Sequence, residues 1–257
     1  MTPVEPQTLQ DDLQVGLHVQ NMQLGWNGRI LVDGLAFNAA PRAWTCLLGE
    51  SGVGKSTLLR TIANLISPLP ATRIEGSDGV SVEGRIAYMA QQDLLLPWLT
   101  TIDNVALGAR LRGERPDLVK ARILLERTGI VDRAEARPGE MSGGERQRVA
   151  LARTLMEERP IVLMDEPFSA LDAITRTQLQ DLAFELLQAR TVLMVTHDPF
   201  EALRLGQNIH IIRAGANGNH RPITPPGRPL RDPTDPSLRE TYHAIMSALS
   251  HRTGPTA

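Results

Sequence analysis

Gly49-Glu50-Ser51-Gly52-Val53-Gly54-Lys55-Ser56 fits the spacing G-x-x-x-x-G-K-[ST], with Thr57 following. Each residue type in that spacing has a use toward the phosphates of a nucleotide. Gly49, Gly52 and Gly54 allow positive φ and close backbone approach, so the consecutive N–H groups of the loop, those of Glu50, Ser51 and Val53 included, can point at anionic oxygens. The Lys55 ammonium would neutralise the β- and γ-phosphates, and the Ser56 hydroxyl is a hard oxygen of the kind that Mg2+ takes as ligand. Nucleotide binding with Mg2+ is the expected chemistry.

Three segments further along could act on such a ligand. Asp165-Glu166-Pro167 follows the apolar run Ile161-Val162-Leu163-Met164. A carboxylate at the carboxyl edge of a parallel strand can hold Mg2+ directly or through water, and a second can polarise an attacking water. Asp165 therefore reads as the metal partner and Glu166 as the general base. Thr196-His197-Asp198 closes the next apolar run in the same way, and an imidazole there can donate to a γ-phosphate oxygen. Ser142-Gly143-Gly144-Glu145 opens a helical pattern and supports two readings. Ser142 and Glu145 match a capping box. Adjacent glycines add nothing to a cap and lower helix propensity, which suits a helix start that must approach something bulky and anionic.

The elements that must position these residues are legible from periodicity. Thr45-Cys46-Leu47-Leu48 before the loop reads as a buried parallel strand, and residues 56–62 after it as a helix. Residues 17–24 and 29–37 read as strands around Asn27-Gly28, a strong hairpin signal, so an antiparallel sheet precedes the loop. Pro68, Pro70, Gly76, Gly79 and Gly84 break residues 65–86 into turns and short strands, before a strand at 85–89. Residues 92–155 read as an inserted helical subdomain, in which Pro116 starts and Gly129 stops a helix contacting its neighbours through Leu118, Ile123, Leu124 and Leu125. The apolar runs at 161–164 and 191–195 flank a helical stretch at 175–189, a βαβ unit with a parallel sheet. Residues 1–14 are expected to be flexible, and 214–257 to form a Pro/Gly-rich tail with a last helix at 237–249.

Composition narrows the partners. With 257 residues, 42% of them hydrophobic, the chain can bury a substantial core. A formal charge of −2 supplies no broad positive field for nucleic acid or anionic lipid, so no nucleic-acid partner is expected. The first twelve residues lack the apolar segment of a secretory signal, and no apolar run is long enough to span a bilayer. The lone Cys46, inside an expected strand, reads as a small core residue.

Taken in order, these motifs resemble the nucleotide-binding subunits of ATP-binding cassette (ABC) transporters, and the resemblance runs from about residue 17 to residue 212. It implies an α/β fold: a P-loop NTPase cassette with an antiparallel β subdomain, a mixed or parallel core sheet and an inserted helical subdomain. By that resemblance residues 49–57 are the Walker A loop, Gln91 the Q-loop glutamine that joins catalysis and the metal, and 141–147 the signature. Residues 161–166 are Walker B, 169–172 the D-loop with nucleotide-contacting Asp172, and His197 the switch histidine. Trp26 stands where the family places the aromatic that stacks on adenine. Met141 and Glu145 replace the Leu and Gln more usual in the signature.

The resemblance further implies ATP and Mg2+ as cofactors and a composite site, closed by Ser142, Gly143 and Gly144 of a second copy packed head to tail. It implies a membrane permease as partner, an extracytoplasmic solute-binding protein indirectly, and a peripheral location on the cytoplasmic side of the membrane. Asp93-Leu94-Leu95-Leu96-Pro97-Trp98-Leu99 is either subdomain core or an exposed groove for a permease helix. Its Leu-Leu-Pro-Trp sequence looks like that of importers for nitrate, sulfonate or taurine, and for pyrimidine precursors of thiamine. The rivals are an exporter ATPase, a soluble ABC ATPase of DNA maintenance, which would carry a long coiled coil between Gln91 and Ser142, and a small-molecule P-loop kinase.

Overall fold

The computed structural model describes residues 14–26, 29–213 and 221–250. The turn Asn27-Gly28, the side chain of Trp26 and the stretches 1–13, 214–220 and 251–257 lie outside the described residues.

Alternation in the first forty residues yields an antiparallel ribbon: β1 (Leu17–Trp26) pairs with β2 (Arg29–Ala39) from Leu17↔Ala39 to Trp26↔Arg29. Leu17, Val19, Met22 and Leu24 of β1 are buried, and register shifts after Val19 and Met22 keep the apolar set inward. β3 (Trp44–Gly49) leads through the phosphate loop into α1 (Lys55–Ile62). The Pro- and Gly-rich stretch then contributes only β4 (Arg73–Gly76), which adds to the free edge of β1, before β5 (Ile86–Met89).

Helices follow: α2 (Thr101–Val105), α3 (Leu107–Leu111), α4 (Leu118–Arg127) and α5 (Gly143–Met156). In α4 the inward residues are Ala121, Leu124 and Leu125. Leu118 and Ile123, expected among its contacts, are 44% and 50% exposed: Ile123 falls on the far side of a 3.6-residue period from Ala121 and Leu125, while Leu118, which shares a face with Leu125 seven residues on, is the first residue of the helix. β6 (Ile161–Asp165), α6 (Ala173–Leu186), β7 (Thr191–Thr196), α7 (Pro199–Leu205) and β8 (Asn208–Ile212) complete the α/β part, and α8 (Arg239–Ser250) comes last.

β3, β6 and β7 are the three continuous apolar runs, and every residue of each is buried. They lie in an all-parallel sheet of order β5-β6-β7-β3-β8. Alternate side chains face two cores. Cys46, Val162, Met164, Val192 and Met194 point toward the core shared with the helices, while Leu47, Leu163, Leu193 and Val195 meet α1 and the antiparallel ribbon. A strand covered on both faces needs apolar residues at every position, which is why these segments read as unbroken runs. None of the described helices is long and apolar enough to cross a membrane.

Candidate functional site

Parallel pairing brings all the candidate loops to one edge. Gly49 pairs with Ile212, Leu48 with Thr196, Asp165 with Val195 and Met89 with Met164, so the segments that leave β3, β5, β6 and β7 emerge together at the carboxyl ends of the strands. That is where an open α/β sheet forms its ligand crevice.

In the loop after β3, Gly52 and Gly54 adopt φ of 82° and 100°. Gly54 caps α1 without any side-chain hydrogen bond, so no capping side chain among the described residues takes the first N–H groups of that helix. Gly49 departs from the expectation of positive φ. Its need is close approach instead, since a Cβ there would lie 2.5 Å from the Ile212 carbonyl oxygen of the neighbouring strand. Lys55 is 4% exposed and donates to the carbonyls of Gly49 at 2.8 Å and Glu50 at 2.9 Å. Burial pulls its pKa down, and the nearby Glu166 and Asp165 carboxylates oppose that shift.

The hydroxyl of Ser56 donates to Asp165 Oδ1 at 2.9 Å, which sets two hard oxygens side by side at the start of α1 and the end of β6. Tyr88 was not legible as a site residue. Its hydroxyl donates to the other oxygen, Asp165 Oδ2, at 2.9 Å, and burial with the adjacent carboxylate pushes its pKa up to about 12. Its position, three residues before Gln91 on a strand of the same sheet, is the signal that could have found it.

Glu166 is the meeting point. It stands in the left-handed region at φ 44°, a conformation costly for a residue with a Cβ, and its N–H donates to Val195 O at 3.0 Å. Its carboxylate lies 3.6 Å from Lys55 Nζ and 2.9 Å from His197 Nδ1, and accepts from Gln91 Nε2 at 3.5 Å. A carboxylate that only accepts takes this bond from a proton on Nδ1. His197 is half-exposed and Glu166 nearly buried, so this cluster opens to solvent on the imidazole side. Lys55, Gln91, Glu166 and His197, drawn from four separate segments at the strand ends, are therefore in one place.

Ser142, Gly143 and Gly144 are not in it. Beyond the backbone ladder of the helix, their hydrogen bonds among the described residues are those of a capping box: Glu145 N–H donates to Ser142 Oγ at 3.2 Å, and Ser142 N–H to Glu145 Oε2 at 2.7 Å. The two glycines separate. A Cβ on Gly144 would meet Thr175 Cγ2 at 2.6 Å, so packing against α6 accounts for that glycine, whereas Gly143 faces open space at ordinary φ and nothing among the described residues requires it. Gln147 on the same helix donates to the Gln91 carbonyl at 3.3 Å, and Arg146 pairs with Asp93 at 3.0 Å, tying α5 to the segment after β5. Asp172 caps α6, accepting from the N–H groups of Ile174 and Thr175 at 3.1 Å, and its carboxyl is held below the ordinary range first by the Thr175 side chain and then by those backbone bonds. Trp26 ends β1, and its side chain lies outside the described residues. The stretch 93–99 divides between its two readings: Leu95 is buried, while Leu94 and Trp98 are 59% and 67% exposed.

Residues 32–169 match the ABC transporter family. An uncharacterized ABC transporter ATP-binding protein of Haemophilus influenzae is 48% identical over 200 residues, which cover 77% of this chain and 82% of the relative. The aliphatic sulfonates import ATP-binding protein SsuB of Delftia acidovorans is 39% identical over 201 residues, 77% of this chain and 80% of the relative. SsuB 1 of Pseudomonas fluorescens is 38% identical over 246 residues, covering 95% and 90%. In fold the chain is similar to cbiO1 of Clostridium perfringens, described as part of the ABC transporter complex cbiONQ, with a TM-score of 0.68 over 77% of this chain and 84% of that one at 24% identity. A nucleotide-shaped loop at the sheet edge and relatives alike over three quarters of the length or more agree: the chain belongs to the ABC transporter family, as one of its ATP-binding, ATP-hydrolysing subunits.

Proposed function

We propose that this chain is the ATP-hydrolysing subunit of an importer for a small polar solute, of which an aliphatic sulfonate is the best supported, and that two copies close head to tail around ATP. The convergence of Lys55, Gln91 and His197 on Glu166 carries the reading, because it gathers cation, amide and imidazole around a carboxylate at the mouth of a phosphate loop. The relatives named as aliphatic sulfonates import proteins support the direction and class of transport.

The backbone N–H groups of the loop and the Lys55 ammonium bind and orient the phosphates, and bound phosphate oxygens replace the Gly49 and Glu50 carbonyls as Lys55's acceptors. Glu166 takes a proton from the attacking water, held in line by the His197 imidazole and the Gln91 amide. Ser56 and Asp165, joined by Gln91 from its place against Glu166, are hard oxygen donors suited to Mg2+, which when bound offsets charge on the β- and γ-phosphates. Ser142, Gly143 and Gly144 of a second copy cover the exposed side of the γ-phosphate, and the free space around Gly143 supports that approach.

The membrane partner is a permease whose cytoplasmic helix seats near the groove of about 270 Å³ lined by Tyr88, Leu94, Leu111 and Arg153. This arrangement holds the subunit peripherally on the cytoplasmic side, with the solute-binding protein across the membrane. Glu166→Gln keeps the shape but removes the base, so with saturating Mg-ATP it should be a stable dimer with little turnover. Light scattering that finds a monomer under those conditions sinks the composite-site reading. In a reconstituted complex, turnover stimulated by sulfonate-loaded binding protein and not by nitrate-loaded protein supports the solute class; the reverse overturns it.

A further inference from the structure

The first turn of α6 touches three segments of the candidate machinery at once. Thr175 Cγ2 occupies the space that a Cβ on Gly144 would need, so α6 abuts the start of α5. One residue on, Arg176 reaches the other way. Its Nη2 donates to the Leu171 carbonyl at 2.9 Å, immediately before Asp172. Its Nη1 lies 3.5 Å from Asp198 Oδ2, immediately after His197, and its Nε lies 3.9 Å from Glu201 Oε1.

The far side of that guanidinium is built into the sheet. Glu201, 4% exposed, accepts from the Thr196 hydroxyl at 2.7 Å, and the same hydroxyl accepts from the Asp198 N–H at 3.0 Å. Gln180, also on α6, donates to Glu201 at 3.5 Å. Residues on both sides of His197 are thus fixed by one network that Arg176 joins to α6. Burial pushes the Glu201 carboxyl up, and a buried carboxylate is retained at a cost that an apolar residue would avoid, which suits a role in geometry rather than in bulk stability.

We propose that Arg176 is a positioning residue for hydrolysis: it ties the loop of Leu171 and Asp172 to the segment of His197, so that displacement of the Gly144 helix start reaches the imidazole facing Glu166. The inference rests on the catalytic reading of Glu166 and His197 given above. A planar guanidinium suits the task because it serves a carbonyl on one side and two carboxylates on the other, which a lysine ammonium cannot match in direction.

The test measures ATP turnover against Mg-ATP concentration in the full chain, with thermal unfolding alongside, for wild type, Arg176→Gln, Arg176→Lys, Asp198→Asn and the Arg176→Gln/Asp198→Asn pair. Arg176→Gln should lower kcat by roughly ten- to hundredfold, with KM for ATP unchanged within about twofold. Arg176→Lys should recover part of that loss. Asp198→Asn keeps the Oδ1 that caps α7 while removing the charge, so it carries the test even where Arg176→Gln fails to fold; it too should lower kcat. The pair should lose no more than Arg176→Gln alone, because both changes break one link. Additive losses, a kcat for Arg176→Gln equal to wild type, or a loss shared equally with KM overturns the proposal. A wild-type chain that turns over ATP, and a Glu166→Gln variant that does not, keep the parent reading intact while these outcomes sink this one alone.

Discussion

Glu166 shows how much one position decides. It follows a buried strand, so the chain must turn there, and its left-handed backbone points the carboxylate at Lys55 and His197 rather than along the strand. Its conformation is the kind of local cost that persists where a site needs a particular aim. Cys46 is the opposite case. Burial pushes its thiol far above the ordinary range, so it is a packing residue and no nucleophile. A thiol-reactive dye at neutral or mildly alkaline pH should label it only as fast as the chain unfolds; immediate stoichiometric labelling of the folded protein would contradict that. Glu145 is held below the usual carboxylate value first by the Ser142 N–H, then by the Ser142 hydroxyl and Arg133. A carboxyl lowered in the folded state contributes stability at pH above its unfolded value of 4.5 and loses it as pH falls through the folded value. The stability difference between wild type and Glu145→Gln, followed by urea titration, should therefore shrink below pH 4.5 and persist above it.

At the scale of elements, α5 is the most constrained piece. Its start carries a complete capping box, its flank is tied to the segment after β5 by Gln147 and Arg146, and its second residue, Gly144, leaves room for Thr175 of α6. Alanine at an exposed helical glycine ordinarily stabilises by about 1 kcal/mol. Here Gly144→Ala should destabilise by about 1–3 kcal/mol through overpacking. Thr175→Ser removes the offending methyl and should restore much of the loss in the double variant. If Gly144→Ala instead stabilises while turnover disappears, the glycine serves only an approaching ligand. Ser142→Ala should cost about 1 kcal/mol through loss of the cap alone.

The whole molecule is closed by a residue that no motif announces. Arg231 is 8% exposed and donates to the carbonyls of Leu203, Gly206, Pro225, Pro226 and Gly227, holding the segment beyond residue 220 against the carboxyl end of α7. A cation at a helix carboxyl terminus is favourable, and the ring of carbonyls replaces the missing carboxylate. Arg231→Met keeps much of the stem and leaves those acceptors without a donor, at about 3 kcal/mol, so the thermal midpoint should fall by roughly 5–10 °C. A midpoint within error of wild type would show that the clamp is idle. Because α7 starts just after His197, the same variant links the tail to the region of the site through one short helix.

What the sequence determined by itself was whatever depends on local order. The phosphate loop needs glycines at fixed intervals, strands buried on both faces need unbroken apolar runs, and a helix start needs Ser and Glu three apart; each requirement lies within a few neighbouring residues. What only the tertiary structure decided was which distant residues meet. Tyr88 on Asp165, Thr175 against Gly144, Arg176 between Leu171 and Asp198, and Arg231 on α7 follow from sheet order and helix packing, which no short window contains. The same reason corrects Gly49 and Ile123. One is a glycine because a neighbouring strand's carbonyl crowds it, and the other is exposed because helix rotation, rather than apolarity alone, chooses the inward face.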